Sequence, residues 1–481
     1  MSAVGKGPGS DDEPRPGREE IPGPSLRLPR IPVPTRLNKQ ARVTAKQVIR
    51  RQVPGKARHA FRVDVTAMFM AGLYLGAVFP FVNVIARKTL HATPETLALI
   101  AAAPFFGNLM ALFWARAMDG KAKVPFVMWS HLGARFTIAL SYFANTAAPF
   151  AFVVSGGQII GTIATPAYAA IIKDVYPESQ RGRILSISRA ATQIAQIFST
   201  LLVGWLLGFI SYKYIFPAAA VVGMAAALVF SRIQRQEVAG EAPEVSEEPA
   251  APRVSPFQSL CDTLRFVWHT LGILKTDEAY RWFALSVFTY GFGNLLNTPI
   301  LPLLQVDELH IQEWQVSVLT VAMQLVTAGA FFYWGRFVDM RSPQLGVAVN
   351  ILLNSTIPLF YILAGTLLPA SPWVLFPAYI ITGIVGAGID LSYFGALLTF
   401  AGDRDVSRYQ ALQSFLLGVR GSIAPFIGGA MVHFLKAHHL NLRWAFVVSL
   451  AFILTGCWMQ VVAMRRQAAI KARDAALQPL P

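Results

Sequence analysis

Long hydrophobic stretches alternate with short polar segments along most of the chain. A transmembrane helix needs roughly 20 mainly apolar residues, and twelve stretches of this kind lie between about residues 64 and 465. The pattern therefore predicts an all-α membrane protein with 12 transmembrane helices. The predicted spans cover about residues 64–86, 95–116, 124–145, 149–173, 184–210, 213–231, 281–304, 314–335, 344–366, 373–400, 409–434 and 443–464.

Polar segments lie before, between and after these spans. Residues 1–60 are basic and rich in proline, so we expect a cytoplasmic, partly disordered tail. Within it, residues 39–53 fit either a short basic helix on anionic lipid headgroups or a solvated tail. Residues 233–280 are predicted as a cytoplasmic linker that ends in an amphipathic helix. Two groups of six spans then occupy residues 61–232 and 281–465, and a second cytoplasmic tail follows at 466–481.

Charge is scarce and unevenly placed along the chain. Hydrophobic residues make up 54% of it and charged residues 14%, which is too little charge to cover a soluble protein of 481 residues. The predicted inner loops hold more Lys and Arg than the outer loops, so the positive-inside rule places both termini in the cytoplasm. This topology largely explains the net charge of +16. We therefore expect a monomer in the lipid bilayer of the plasma (inner) membrane and no nucleic-acid partner.

Signatures of enzymes and metal sites are missing from the sequence. The chain has two cysteines, Cys261 and Cys457, and their positions suit neither a disulfide nor a metal site. No HExxH, P-loop or GxSxG motif stands in a supporting context. We expect no catalytic residue, no cofactor and no metal.

The two groups of spans repeat each other. FWARAMD at Phe113–Asp119 returns as YWGRFVD at Tyr333–Asp339, and Leu90-His91 returns as Leu309-His310 at an offset of 219 residues (309 − 90). Later in each half the offset is 225 residues (393 − 168). Because each copy holds six spans, the repeat predicts two six-helix bundles of the same orientation, related by an axis along the membrane normal. The 225 offset aligns Gly161 with Gly386, Tyr168 with Tyr393, Arg183 with Arg408 and Gly204 with Gly429.

This repeat and the motif in it resemble the major facilitator superfamily (MFS) over about residues 60–465. The family places a Gly-x-x-x-Asp motif after the second span, and Gly335–Arg341 keeps that spacing, whereas the first copy has Ala115 in place of Gly. The resemblance implies that the loop after the second span approaches the eleventh span, and that the loop after the eighth approaches the fifth.

Loop charges are predicted to gate the inner face on the strength of that resemblance. Asp119 would meet Arg408 or Arg404, and Asp339 would meet Arg183 or Arg181, only while the inner face is closed. The alternative is that these are ordinary solvated loop charges, worth under about 1 kcal/mol each.

Substrate contacts are expected in the spans that line the central cavity of the family: the first, fourth, seventh and tenth. Steps of three and four residues place polar side chains on one face of the fourth span and one face of the seventh. The alternative for such stripes is hydrogen bonding between helices. The predicted substrate-binding residues are Gln158, Thr162, Thr165, Tyr290, Asn294, Asn297 and Tyr393.

Charges inside the predicted spans indicate a coupling site. The pattern leaves Asp390 as the only acidic residue well inside a span, and the repeat aligns it with Thr165, while Arg420 lies at similar depth in the eleventh span. Asp390 could take up a proton or hold a cationic group, with Arg420 setting its protonation or binding an anion. Alternatively the two form a buried structural pair. Arg135 and Arg189 are predicted to be structural, the latter by snorkelling.

These features together predict a secondary active transporter of a small organic solute that works by alternating access. Since no ATP-binding motif is present, the energy would come from a gradient of the solute itself or of protons. The alternative function is a non-transporting membrane receptor or assembly factor that retains the MFS fold.

Overall fold

The computed structural model describes residues 58–110, Trp114, Met118 and residues 121–175, 178–234, 271–401 and 406–477. All of these belong to a single unit, Val53–Pro481. The predicted basic helix at 39–53 lies outside the described residues, as does nearly all of the predicted amphipathic helix of the linker.

Helices account for nearly all of the described chain. The first half contains α1 (Arg58–Lys88), α2 (Pro94–Leu109), α3 (Lys123–Ala139), α4 (Ala147–Thr162), α5 (Ala164–Val175), α6 (Glu178–Leu206) and α7 (Tyr212–Phe230). The second half contains α8 (Glu278–Leu296), α9 (Glu313–Met340), α10 (Pro343–Leu363), α11 (Phe376–Ala401), α12 (Val406–Ala437) and α13 (Arg443–Leu477). The predicted fold class is confirmed.

Several helix starts carry side-chain caps that the sequence supplies. Ser342 accepts a hydrogen bond from the backbone N–H of Leu345 at 3.2 Å, and Pro343 follows it at the first helical position. Asp277 caps α8 in the same way through the N–H of Tyr280 at 2.9 Å. These caps satisfy N–H groups that a helix start would otherwise leave without a partner.

The repeat is visible in backbone conformation as well as in sequence. His91 and His310, which the 219 offset aligns, have φ values of 54° and 50°. This left-handed conformation is uncommon for residues other than glycine, and both histidines lie in the turn before a transmembrane helix of their half. The same unusual turn at aligned positions supports a duplication of the whole half.

Eight helices in the described residues are long and apolar enough to cross a membrane. One of them, Ala147–Ile172, combines α4 and α5. The predicted second, third, fifth and seventh spans are not among the eight. The described α2 and α3 have only 16 and 17 residues, and α6 begins with the polar run Glu178–Arg183. The count of twelve therefore stays a prediction.

In the described chain, the most extensive helix contacts between the halves are those of α2 with α12 and of α6 with α9. Both contacts are close because small residues lie in them. A Cβ atom added to Gly421 of α12 would overlap Phe105 of α2, and one added to Gly204 of α6 would overlap Ser317 of α9. Within each half, α1 packs on α6 and the equivalent α8 packs on α12.

The hydrophobic core differs between the two ends of the bundle. At the end where α1 finishes and α2 begins, which we call the outer end, one cluster contains buried residues of both halves, among them Ile85, Leu97, Leu303 and Phe446. Towards the opposite, inner end, each described cluster belongs to one half alone. The halves are thus packed together at the outer end.

Candidate functional site

Charged pairs join the two halves at the outer end. Arg87, the penultimate residue of α1, donates to both carboxylate oxygens of Asp307, with Nε–Oδ1 at 2.8 Å and Nη2–Oδ2 at 2.5 Å. The next residue, Lys88, lies 2.9 Å from Glu313 of α9. A third pair links Glu95 of α2 with His433 of α12. Every one of these contacts must break for the outer end to open.

A cavity of about 320 Å³ lies among α8, α11 and α12. Four of the residues predicted from the sequence line it: Tyr290 from α8, Asp390 and Tyr393 from α11, and Arg420 from α12. The polar side chains of Gln410, Gln413 and Ser414 complete one wall. The sequence therefore identified a real cluster, although it did not predict how its members pair.

Arg420 is held by α8 rather than by Asp390. Its guanidinium donates to the backbone carbonyl of Val287, and a Cβ atom added to Gly291 would overlap it. Glycine at 291 therefore makes room for the cation. The positive charge also acts on the hydroxyls of Tyr290 and Tyr393.

Asp390 lines the same cavity, and no described contact pairs it with Arg420. Its side chain is exposed, and the charge of Arg189 in α6, which is also exposed, acts on it. Sequence reasoning treated Arg189 as a structural cation and paired Asp390 with Arg420. In the structure Arg189 and Asp390 belong to different halves, so their separation depends on how the halves are arranged.

A second acidic residue lies inside a span, and sequence reasoning missed it. Asp64 in α1 is fully buried and accepts hydrogen bonds from Ser188 at 2.6 Å and Tyr168 at 3.3 Å. The charge of Arg189 acts on Tyr168 as well. Asp64 escaped attention because it begins the first apolar stretch. The signal that could have found it is Tyr168, which the repeat aligns with Tyr393 of the cavity.

Three of the predicted substrate contacts are engaged in helix packing. Gln158 donates to the carbonyl of Ile100 in α2 at 3.3 Å, and Asn297 donates to Ser449 in α13 at 2.7 Å. Thr162 donates to Ile159 one turn back in its own helix at 2.7 Å and packs against Gly107. For these residues the alternative of hydrogen bonding between or within helices fits better. Thr165 and Asn294 are exposed.

The predicted gating contacts cannot be followed in this structure. Asp119 lies outside the described residues, and so do the side chains of Asp339, Arg183 and Arg408. Their role at the inner face stays a prediction.

Arg135 has the structural surroundings that were predicted for it. Its side chain is buried in α3, donates to the carbonyl of His131 at 2.9 Å, and lies 5.2 Å from the ring centroid of Tyr74 in α1. A cation over an aromatic face is stabilised by the ring quadrupole. The contact therefore holds α1 and α3 together.

No cluster of His, Cys, Asp and Glu in the described chain could hold a metal ion.

Comparison with protein families identifies one superfamily. A sequence model of the Major Facilitator Superfamily matches the chain over residues 65–401 and 283–479. None of the curated proteins compared with the chain matches it.

Solved structures share the fold at low sequence identity. A bacterial homolog of the human lysosomal transporter Spinster, inward-facing and unoccupied, is 13% identical with a TM-score of 0.62; the match covers 86% of this chain and 98% of that chain. Its inward-facing, occupied form gives 14% and 0.63 over the same shares. A point mutant of the nucleoside transporter NupG gives 9% and 0.60 over 84% and 99%.

Proposed function

The chain belongs to the major facilitator superfamily, and on that premise we propose that it is a secondary transporter of a small organic solute. In this mechanism the two halves rock around a site near the middle of the membrane, so that the site opens to one side at a time. Protons are the proposed coupling ion, and Asp390 is the proposed residue that carries them.

The contrast between the two ends of the bundle is the observation that carries this proposal. The outer end has a shared core and ion pairs across the halves, whereas the described core clusters towards the inner end each belong to one half. A protein that opens alternately to the two sides of the membrane must be able to separate its halves at either end. The likeness to structures described as inward-facing agrees with this interpretation.

Asp390 supports proton coupling because its electrostatic partner belongs to the other half. When the halves rock, the distance between Asp390 and Arg189 changes, and with it the stability of the ionised carboxylate. A carboxylate that meets its cation in one state and loses it in the other can bind a proton on one side of the membrane and release it on the other.

A reversible cross-link at the outer end tests alternating access directly. In a variant without Cys261 and Cys457, the changes Arg87→Cys and Asp307→Cys place two thiols where the Arg87–Asp307 ion pair crosses the halves. Oxidation should stop solute flux in proteoliposomes, and reduction should restore it. Solutes for the assay come from a screen for ligands that raise the melting temperature of the purified chain.

The matched control joins two positions of the same half. Arg443 and Glu308 form an ion pair of 2.7 Å at the same end of the bundle, so Arg443→Cys with Glu308→Cys should cross-link without stopping flux. Unchanged flux through the oxidised Arg87/Asp307 variant would contradict alternating access. A ligand that stabilises the protein but is never transported would favour the receptor function instead.

A further inference from the structure

The charges around the cavity do not balance. Arg420 and Asp390 line it, and Arg189 approaches Asp390 from the opposite half. Among the described residues, the other titratable groups close to Asp390 and Arg420 are the tyrosines Tyr290 and Tyr393, which are neutral when protonated. With Asp390 ionised, the described charged groups in the cavity lining and next to it are therefore two cations, Arg420 and Arg189, and one acid.

Asp64 does not remove this excess at the cavity surface. Its carboxylate is fully buried in the first half and accepts hydrogen bonds from Ser188 and Tyr168. The carboxylate therefore lies behind these hydroxyl groups and not on the cavity wall.

Arg420 has donors to spare. A guanidinium carries five N–H donors, and the acceptors that the described chain offers this one are neutral: the backbone carbonyl of Val287 and the hydroxyl of Tyr393. Its Nε is buried against Gly291 without a hydrogen-bond partner among the described residues, and no described acid lies within ion-pair distance of the guanidinium. A guanidinium that lines a cavity without an acidic partner can bind an anionic group there.

We propose that the cavity binds a small organic anion, of the carboxylate class, with Arg420 as the residue that binds the charged group. This inference rests on the proposed transport function and names the substrate class of the same site. Arg420 suits the role because a planar guanidinium can bind both oxygens of a carboxylate. The apolar side chains of Ile389, Leu397 and Leu417 would contact the body of the solute.

Protonation of Asp390 then couples the anion to a proton. When the Asp390 carboxylate takes up one proton from water, it becomes a neutral carboxylic acid, and the summed charge of Arg420, Arg189 and Asp390 rises from one positive to two. Arg189 loses its electrostatic partner and adds to the attraction for the anion. The solute and the proton therefore bind together and leave together, and no covalent bond forms or breaks apart from the O–H bond.

Charge-selective labelling tests the inference without knowledge of the solute. Ser414 lines the cavity and is exposed, so Ser414→Cys in a variant without the native cysteines places a thiol beside the charges. Two thiol reagents of similar size are compared, the anionic sulfonatoethyl and the cationic trimethylammonioethyl methanethiosulfonates. Their rate ratio is divided by the same ratio for free mercaptoethanol.

We expect the anionic reagent to be favoured by roughly tenfold, because a unit positive charge about 4 Å away favours an anion over a cation by on the order of tenfold in a water-filled cavity. Arg420→Gln should remove most of this preference, and Arg420→Lys should retain it. Asp390→Asn should increase it. Lowering the pH should raise the preference in the parent protein and leave it unchanged in the Asp390→Asn variant.

A preference for the cationic reagent would overturn the inference, and so would a ratio that is the same in the Arg420→Gln and Arg420→Lys variants. Labelling needs neither a gradient nor transport. Charge selectivity in a protein that moves no solute would therefore contradict the proposed function alone, whereas transport without charge selectivity would contradict the anion site alone.

Discussion

The two halves of the molecule share one backbone plan but carry different chemistry at the same positions. In the first half, Tyr168 and Ser188 donate to the buried carboxylate of Asp64. The aligned positions of the second half hold Tyr393, Gln413 and Phe283, and the ring centroids of Tyr393 and Phe283 lie 5.8 Å apart. The polar cluster of one half is thus an aromatic contact in the other.

A second set of aligned positions differs between the halves at Arg420, the cation of the cavity lining. In the first half, Gly72 of α1 packs against Ala195 and the Thr192 carbonyl of α6. In the second half, Gly291 takes the place of Gly72, and Arg420 takes the place of Ala195. The same close helix contact therefore packs two helices together in one half and holds a cation of the cavity lining in the other.

The largest expected effect comes from removing the carboxylate of Asp390, whose aligned position in the first half holds Thr165. Asp390→Asn should abolish accumulation of solute driven by a pH difference and spare counterflow, which needs no net proton movement. The control is Glu278→Gln, an exposed acid of the same half that lies outside the cavity lining, and it should still accumulate solute. Both are measured in proteoliposomes.

Accumulation against the gradient by Asp390→Asn would exclude Asp390 as the coupling residue. If the variant fails to fold and Arg189→Gln restores folding, the Asp390–Arg189 pair is structural. The second variant separates the two roles because it removes the charge that Asp390 faces.

The next effect concerns stability and compares the two glycines. Gly72→Ala places a methyl group against the Thr192 carbonyl and the Ala195 methyl, neither of which can move alone. It should cost about 1–3 kcal/mol, as overpacking does. Gly291→Ala meets the end of the flexible Arg420 side chain and should cost less, about 1 kcal/mol. Thermal melts of the purified variants measure the difference, and equal losses would contradict it.

A smaller effect is expected from the buried carboxylate of the first half. Asp64→Asn keeps one acceptor oxygen but turns an N–H₂ group towards the hydroxyls of Ser188 or Tyr168. One charge-assisted hydrogen bond is lost, which is worth about 1–3 kcal/mol. The melting temperature should fall. Phe283→Tyr, which adds a polar group at the aligned position of the second half, serves as the comparison.

Much of this arrangement was predictable from the sequence, because it follows from local pattern. The helices follow from apolar stretches and the two bundles from the repeat. Asp390 and Arg420 were expected close together because of their similar depth, and Tyr290 and Tyr393 were predicted as substrate contacts on the central cavity. A polar stripe, however, fits both a cavity wall and a contact between helices. Asn297 was therefore predicted to bind solute although it donates to Ser449.

Contacts between the halves were not predictable in the same way. The sequence gives the depth of a charge in its helix but not which helix of the other half faces it, so Arg420 was paired with Asp390 and Arg189 was not. Asp64 was missed for a different reason. It lies at the edge of an apolar stretch, where a charge is usually solvated, and only the packing of α1 against α6 buries it.

The smallest expected effect compares a charged pair between the halves with one inside a half. Asp307→Asn removes the partner of Arg87, and Glu308→Gln removes the partner of Arg443 at the same end of the bundle. Because these side chains are partly exposed, each pair should contribute only about 0–1 kcal/mol. The melting temperatures should therefore change little.

Of these two variants, only Asp307→Asn should shift the equilibrium between the outward-open and inward-open states, because the Arg87–Asp307 pair must break when the outer end opens and the Arg443–Glu308 pair need not. A thiol placed within the outer core, in Ile85→Cys, should react faster with reagents added from the outer side in the Asp307→Asn variant. High salt should reproduce the shift in the parent protein by screening the pair. Equal acceleration by Asp307→Asn and Glu308→Gln would mean that these charges act through the general surface potential, and that the outer core alone holds the halves together.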